Sequence, residues 1–495
     1  MQPLNTHTAN TYFCSERFIQ FGEGNFLRGF VEWIIERHNQ TVPFGESVVI
    51  VQPRAGGKVA RLEEQDGLYH VNLLGLNKGQ TVDTVELITC VSRLIDPYKQ
   101  HGLFLALANR PNLRFIVSNT TEAGIAFDPT CRLNDTPPES FPAKLTQLLY
   151  YRYLSCGGNT NGGFIILPCE LIPKNGTRLT ECIRRYIDLW ADELGDDYEG
   201  FLRWFEQACF VCTTLVDRIV PGFPQKDVES LQERIGYADN QIVQAEPFHL
   251  WVIETAPNLP LQKLQSELKL SGSDLNVILT TDESPYHERK VALLNGPHTV
   301  LSPVAFLAGL DIVRDACQHE VIGPFIRRVM YDELLPTLNL PEDELRRFAD
   351  DVMERFCNPF VDHQLTSIML NSFPKFQTRD LPGLKTYLER KGTLPRGIVL
   401  GLAAICVYYR GGQRSDGTPI QPNDDPRIMQ LLADLWATGD THRVAEGVLA
   451  AQDLIWHEHG NLNAIPGLTS LLADDIQSIL DCGMMETVKK LKIEN

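Results

Sequence analysis

The chain has 495 residues, 43% of them hydrophobic and 22% charged, with a formal net charge of −18 at pH 7. That length calls for two or three domains rather than one core, and the composition is that of an ordinary globular protein. The acidic balance argues against a nucleic-acid-binding surface and against attraction to anionic lipid, and it obliges any anionic substrate to find a local cationic pocket.

Met1 to Asn10 is polar and lacks the basic-then-apolar pattern of a secretory leader. The longest apolar run, Ile398 to Tyr409, is too short to span a bilayer and contains Gly401, so it predicts a buried helix. The 12 cysteines are scattered without paired spacing, which suits reduced thiols and a cytoplasmic location. Cys209 and Cys212 lie in an apolar stretch, Cys209 to Val216, that predicts one strand with the two thiols on opposite faces. No second pair completes a zinc set there, and His457-Glu458-His459 has no third ligand nearby in the sequence, so no metal is expected.

From the N-terminus, Arg17 to Phe21 predicts a short strand and Gly22-Glu23-Gly24-Asn25 a tight turn. A helix follows, with Phe26, Phe30, Trp33 and Ile34 on one face. Strand, glycine turn and helix are how a dinucleotide-binding unit opens, although Leu27 stands where the full G-x-G-x-x-G fingerprint has its third glycine. The second strand, Ser47 to Gln52, ends in Gln52-Pro53-Arg54 and so lacks the acid that often binds the ribose hydroxyls of NAD. Leu113 to Val117 predicts another strand, with Ser118-Asn119-Thr120-Thr121-Glu122-Ala123-Gly124 at its carboxyl end. That run suits a cofactor, and it suits an Asx-type turn as well. After a helix over Phe141 to Leu154, the strand Phe164 to Leu167 delivers Pro168-Cys169-Glu170, and a later strand ends in Val216-Asp217-Arg218-Ile219. The sum is an α/β domain over 1–280 with its boundary near Thr281. Helical periods dominate from Val300 to Leu491, giving a mostly α-helical second domain over 281–495.

Lys290-Val291-Ala292-Leu293-Leu294-Asn295-Gly296-Pro297-His298 offers an amine, an amide and an imidazole on a helix that is expected to break at Gly296-Pro297. At about 100° per residue the three polar groups fall at roughly 0°, 140° and 80°, on one side of the helix. Metal-free reduction of a carbonyl needs such a set: one group to exchange a proton with the oxygen and two to hold it. An ordinary surface helix also carries three polar residues on one side. In the helical half, Lys375 and Arg379 with His363 form a candidate pocket for a carboxylate, which Arg grips through two parallel hydrogen bonds. Four residues apart, Lys375 and Arg379 also suit a solvated helix face.

Phe21-Gly22-Glu23-Gly24-Asn25-Phe26, Val216-Asp217-Arg218-Ile219 and Lys290-x4-Asn295-x2-His298 together resemble the long-chain, zinc-independent polyol dehydrogenases, the mannitol dehydrogenase family. Ser118 to Gly124, Glu246 to Glu254 and Asn371-Ser372-Phe373-Pro374-Lys375-Phe376 resemble, more narrowly, the branch of that family that reduces hexuronates. The resemblance implies a Rossmann-type domain binding NAD through Phe21, Gly22, Gly24, Asn25, Phe26, Asn119, Thr120 and Glu122. It further implies Lys290 as general acid/base, Asn295 and His298 on the reacting oxygen, and Asp217 near the substrate, a small keto-sugar acid. Many members carry Cys-acidic-Asn where this chain has Cys169-Glu170-Leu171, so their oxyanion-binding Asn is missing, and Asn175 is the candidate replacement. Reduction of a related substrate, such as fructuronate, fructose or a sugar phosphate, is the alternative within enzymes. A non-catalytic dinucleotide sensor is the alternative outside them, and it would have no need of Lys290 as a proton donor.

Overall fold

The computed structural model describes every residue except Phe13, Pro43, Phe44, Glu122, 271–274 and 492–495. The chain divides into two compact units: Met1–Leu74 with Thr81–Glu283, and Gly75–Gln80 with Ser284–Asn495.

The first unit is built on a six-stranded parallel sheet of β1 (Cys14–Phe21), β2 (Gly45–Val51), β3 (Val91–Ile95), β4 (Phe115–Ser118), β5 (Ile165–Pro168) and β6 (Phe210–Val211), in the order β3-β2-β1-β4-β5-β6. This is the strand order of the doubly wound dinucleotide-binding fold, whose ligands sit beyond the carboxyl ends of the strands. Alternation along each strand sends side chains to opposite faces. Phe18, Val48, Ile50, Val117 and Leu167 enter one core with the helical run α1 (residues 25–39). Ile19, Phe21, Val49, Val51 and Ile166 enter the other, under α2 (Phe141–Ser155) and α3 (Asn175–Leu189). Buried on both faces, these strands read as continuous apolar runs, as parallel strands do.

One strand expectation fails. Cys209 to Val216 is two strands in two sheets: β6 closes the parallel sheet, and β7 (Thr213–Asp217) runs antiparallel to β8 (Leu250–Glu254), itself parallel to β9 (Val277–Thr280). Cys212 is the hinge, its N–H still bonded to Ile166 O at 2.9 Å as the chain leaves the first sheet. An unbroken apolar run carries no mark of which neighbour takes each half.

The second unit is helical. Its centre is α7 (Arg396–Tyr408), buried from Gly397 to Tyr408 and packed on α8 (Leu468–Leu491) and on the run α4 (residues 284–307). Gly401 sits against α4, where a Cβ would come within 2.7 Å of Val300, so the two helices can cross only because that side chain is absent. The Glu333 carboxylate closes the start of α7, accepting the N–H groups of Gly397 and Ile398 at 2.8 and 2.9 Å. All twelve cysteines are free thiols, and among the described residues no helix is long and apolar enough to cross a membrane.

Candidate active site

In the first unit, the turn after β1 carries the features a pyrophosphate requires. Gly22 has φ +126°, and a Cβ there would press within 3.0 Å of the Asn119 carbonyl oxygen. Gly24 is exposed, and a Cβ on it would meet nothing within 4 Å, so that backbone is open to a ligand. It stands at the N-cap of α1 with no side-chain cap, leaving the first N–H groups of the helix to an anion. Asn25 is tied to Arg28, whose guanidinium donates to Asn25 Oδ1 at 2.6 Å. Phe21 is buried in the sheet, while Phe26 stacks on Phe30 at 5.1 Å. These residues fit a dinucleotide.

Beyond β4, Asn119 N–H bonds Phe21 O at 3.2 Å and its amide donates to Cys169 O at 2.6 Å. The loop is fastened by Glu170, to which the sequence alone assigns no role. Its buried carboxylate accepts from Ser118 Oγ at 3.0 Å, Thr120 N at 3.1 Å and Thr120 Oγ1 at 3.0 Å. Burial pushes the Glu170 carboxyl up from its ordinary range, and these three donors pull it back toward the charged form. Its sequence signals are its place directly after a strand end and its match to the acidic residue of the Cys-acidic-Asn pattern. Glu122 lies outside the described residues. Asp217 ends β7, buried; its neighbour Arg218 is spent on the carbonyls of Glu246 and Gly29, both at 2.8 Å, and stacks on Trp33.

Asn175 does not offer the expected donor. Its amide gives both hydrogens to the carbonyls of Glu170 (3.1 Å) and Thr214 (2.9 Å), and its oxygen accepts the N–H groups of Gly176 and Thr214. An amide has two donors and two lone pairs, and all four are used. Asn175 is a strut between the loop after β5 and the start of β7, while Leu171 is exposed.

In the second unit, α4 does not break at Gly296-Pro297. Ser284–Lys290 is α-helical, Val291–Asn295 is one π-helical turn, closed by Gly296 N–H on the Val291 carbonyl, and Gly296–Leu307 resumes as α-helix. Pro297 falls in the first turn of the resumed helix, where its missing N–H costs little. The extra residue also re-aims the face. Five steps of about 80° through the i→i+5 turn and three of about 100° put Lys290, Asn295 and His298 at roughly 0°, 40° and −20°, a tighter stripe than an unbroken α-helix gives. All three are half-buried.

The Asn295 side-chain amide has no hydrogen-bond partner among the described residues, and neither has His298 Nε2, which is buried. The His298 ring packs 4.1 Å from Phe356, at the end of α5 (Glu342–Phe356), and 5.3 Å from His363. Burial, then His363, Arg355 and Arg379, hold its pKa well below the ordinary imidazole value, so the ring is neutral at pH 7.

Lys375 and Arg379 lie on α6 (Ser372–Arg379), and neither is a solvated surface cation. Lys375 Nζ donates to Ile368 O at 2.7 Å; Arg379 Nη1 donates to Thr299 Oγ1 at 3.2 Å, and that hydroxyl donates to the Asn295 carbonyl at 3.0 Å. Arg379 is thereby tied to the turn that bears Asn295. Burial lowers the pKa of both cations, and their mutual repulsion adds to it for Lys375. The structure thus brings Arg379, His363 and His298 into one neighbourhood.

Next to them stands Asp380, which no sequence signal marked. It is fully buried, neither carboxyl oxygen has a hydrogen-bond partner, and a Cβ on Gly296 would come within 2.9 Å of its Oδ1. Burial raises its pKa well above the usual carboxylate range, against the pull of Arg379. An unfolded aspartate ionises above about pH 3.9, whereas this one resists, so the folded state binds more protons and loses stability as pH rises past that value. Asp380→Asn should therefore gain Tm relative to the parent by a margin that widens from pH 5 to pH 8. A margin that stays constant across thermal melts would show that Asp380 imposes no ionisation penalty.

Residues 16–265 match the family profile "Mannitol dehydrogenase Rossmann domain" and residues 282–480 the profile "Mannitol dehydrogenase C-terminal domain". Proteins named altronate oxidoreductase from Phocaeicola vulgatus and Bacteroides thetaiotaomicron are each 60% identical over 489 residues, covering 99% of this chain and 99% of theirs. One from Bacillus subtilis is 42% identical over 497 residues, covering 100% and 99%. Among solved structures, Pseudomonas fluorescens mannitol 2-dehydrogenase, in ternary complex with NAD and D-mannitol, is 21% identical over the whole of both chains with a TM-score of 0.66. A substrate-free D-sorbitol dehydrogenase is 19% identical over 99% of this chain and 100% of its own, with a TM-score of 0.79. These two likenesses speak to the fold, a parallel-sheet Rossmann domain and a helical C-terminal domain. With both profiles matched and full-length relatives at 60% identity, the chain belongs to the mannitol dehydrogenase family of oxidoreductases.

Proposed function

We propose that this chain catalyses the reversible, NAD-dependent reduction of tagaturonate to altronate, a step of hexuronate catabolism in the cytoplasm. The carrying observation is the π-turned helix that lines up Lys290, Asn295 and His298 with the Asn295 amide and His298 Nε2 unspent. The name borne by the full-length relatives supports the choice of substrate. NAD would be held by Phe21, Gly22, Gly24, Asn25, Phe26, Asn119, Thr120 and Glu122, and when bound it supplies or accepts the hydride.

The chain's own residues do the rest. As hydride reaches the keto carbon, alkoxide character grows on the oxygen; the Lys290 ammonium gives that oxygen a proton, and in oxidation the Lys290 amine takes it back. The Asn295 amide donates to the same oxygen. With Asn175 committed elsewhere and Leu171 apolar, no second amide joins it from those positions. His298, whose buried Nε2 is unspent, shares with Asn295 the binding of that oxygen. Lys375 and Arg379 receive the carboxylate, and Asp217 would lie near the substrate, as the family resemblance implies. No metal takes part.

The test is oxidation of NADH and of NADPH with tagaturonate, fructuronate, fructose and fructose 6-phosphate. The expected outcome is the highest kcat/KM for tagaturonate with NADH, undiminished by exhaustive chelation. A preference for fructuronate or for a neutral sugar would replace the substrate, and no turnover with any keto-uronate would point to a sensor. Loss on chelation with recovery on adding zinc would overturn the metal-free chemistry.

A further inference from the structure

The end of the second strand of the sheet, where a dinucleotide domain specific for NAD usually carries an acid, holds Gln52-Pro53-Arg54 here. Gln52 cannot serve in its place. It is buried, its amide donates to the Arg54 carbonyl at 3.0 Å, and its oxygen accepts the Val59 N–H at 3.4 Å. A carboxylate does reach the spot, from a different element. Glu23, in the glycine turn after β1, extends to the loop that follows β2, where its Oε1 accepts the Lys58 N–H at 2.9 Å. Gly57 makes the room: a Cβ there would come within 2.5 Å of both that oxygen and the Gln52 side chain. Glu23 is half-exposed, and its other oxygen has no partner among the described residues.

We infer that Glu23 determines the choice of NAD over NADP, accepting the adenosine ribose hydroxyls with its free oxygen and repelling a 2′-phosphate. The inference rests on the proposed NAD dependence and names the residue responsible for it. The chemistry is one-sided. The same place is flanked by the exposed side chains of Arg54 and Lys58, so once the carboxylate is gone the field there turns cationic and welcomes a 2′-phosphate. Glu23 therefore does more than replace the missing strand-end acid; it overrides two cations that would otherwise recruit the phosphorylated cofactor.

The experiment uses Glu23→Gln, which keeps the acceptor for Lys58 N–H, and Gly57→Ala, which pushes the carboxylate from its seat. Affinity for 5′-ADP and for 2′,5′-ADP is measured by calorimetry on each full-length protein, alongside kcat/KM with NADH and NADPH. In the parent, 5′-ADP should bind better and NADH should be preferred. In both variants the ratio of 2′,5′-ADP to 5′-ADP affinity should rise at least about tenfold, with NADPH use rising in step, and Arg54→Ala added to Glu23→Gln should reverse most of the gain. A parent that already prefers 2′,5′-ADP and NADPH would overturn the NAD reading and the inference with it. A parent that prefers NADH, with both ratios unmoved in Glu23→Gln, would overturn the inference alone.

Discussion

Lys290→Ala should lower turnover at least about a hundredfold while leaving dinucleotide binding nearly intact, the scale expected when a general acid/base is removed. Lys290 sits on the last turn before the π-helical turn, on the stripe that Asn295 and His298 share, and belongs to the second unit, whereas the glycine turn belongs to the first. Loss of its side chain removes the proton donor and leaves the residues of the glycine turn themselves unchanged. Near-normal turnover in Lys290→Ala would take Lys290 out of the chemistry.

Lys375→Met and Arg379→Met should separate the acid from the neutral sugar. At least one of them should lose kcat/KM for tagaturonate by about tenfold or more, roughly 1.4 kcal/mol, with little change for fructose. Both cations are part-buried, and burial lowers the pKa of each, so the protein holds them there at a cost that a bound carboxylate would offset. Methionine keeps the length and apolar stem of the side chain while removing its charge. Arg379 carries the sharper test, because it is linked through Thr299 to the Asn295 carbonyl. If Arg379 only positions that turn, both substrates lose equally; if it receives the carboxylate, only the acid does. Equal losses from both variants, or none, would move the carboxylate site elsewhere.

Much of this was readable from the residues alone because the patterns were local. The parallel sheet announced itself through apolar runs punctuated by glycine turns, since strands buried on both faces need no alternation. The glycine turn and the Lys290-x4-Asn295-x2-His298 spacing are short motifs whose chemistry lies in their own side chains. The buried helix α7 was likewise legible as an apolar run too short for a membrane.

What failed or was missed depended on partners distant in sequence. The two halves of Cys209 to Val216 went to different sheets because strand pairing is chosen between segments, not within one. Asn175 is the candidate replacement for the family's Asn, yet the backbone of Glu170, Thr214 and Gly176 takes all its bonds, and whether an amide is spent depends on what folds against it. Asp380 and Glu23 carried no local signal, for a carboxylate's role follows from burial and from who faces it. The helix through Gly296-Pro297 stayed whole because one π turn absorbed the proline, a register choice made by packing rather than by propensity. The sequence by itself therefore determined the family, the sheet class and the chemical groups on offer. Tertiary structure alone decided which of those groups remain unspent, because hydrogen-bond satisfaction and desolvation are properties of neighbours that the chain brings together only on folding.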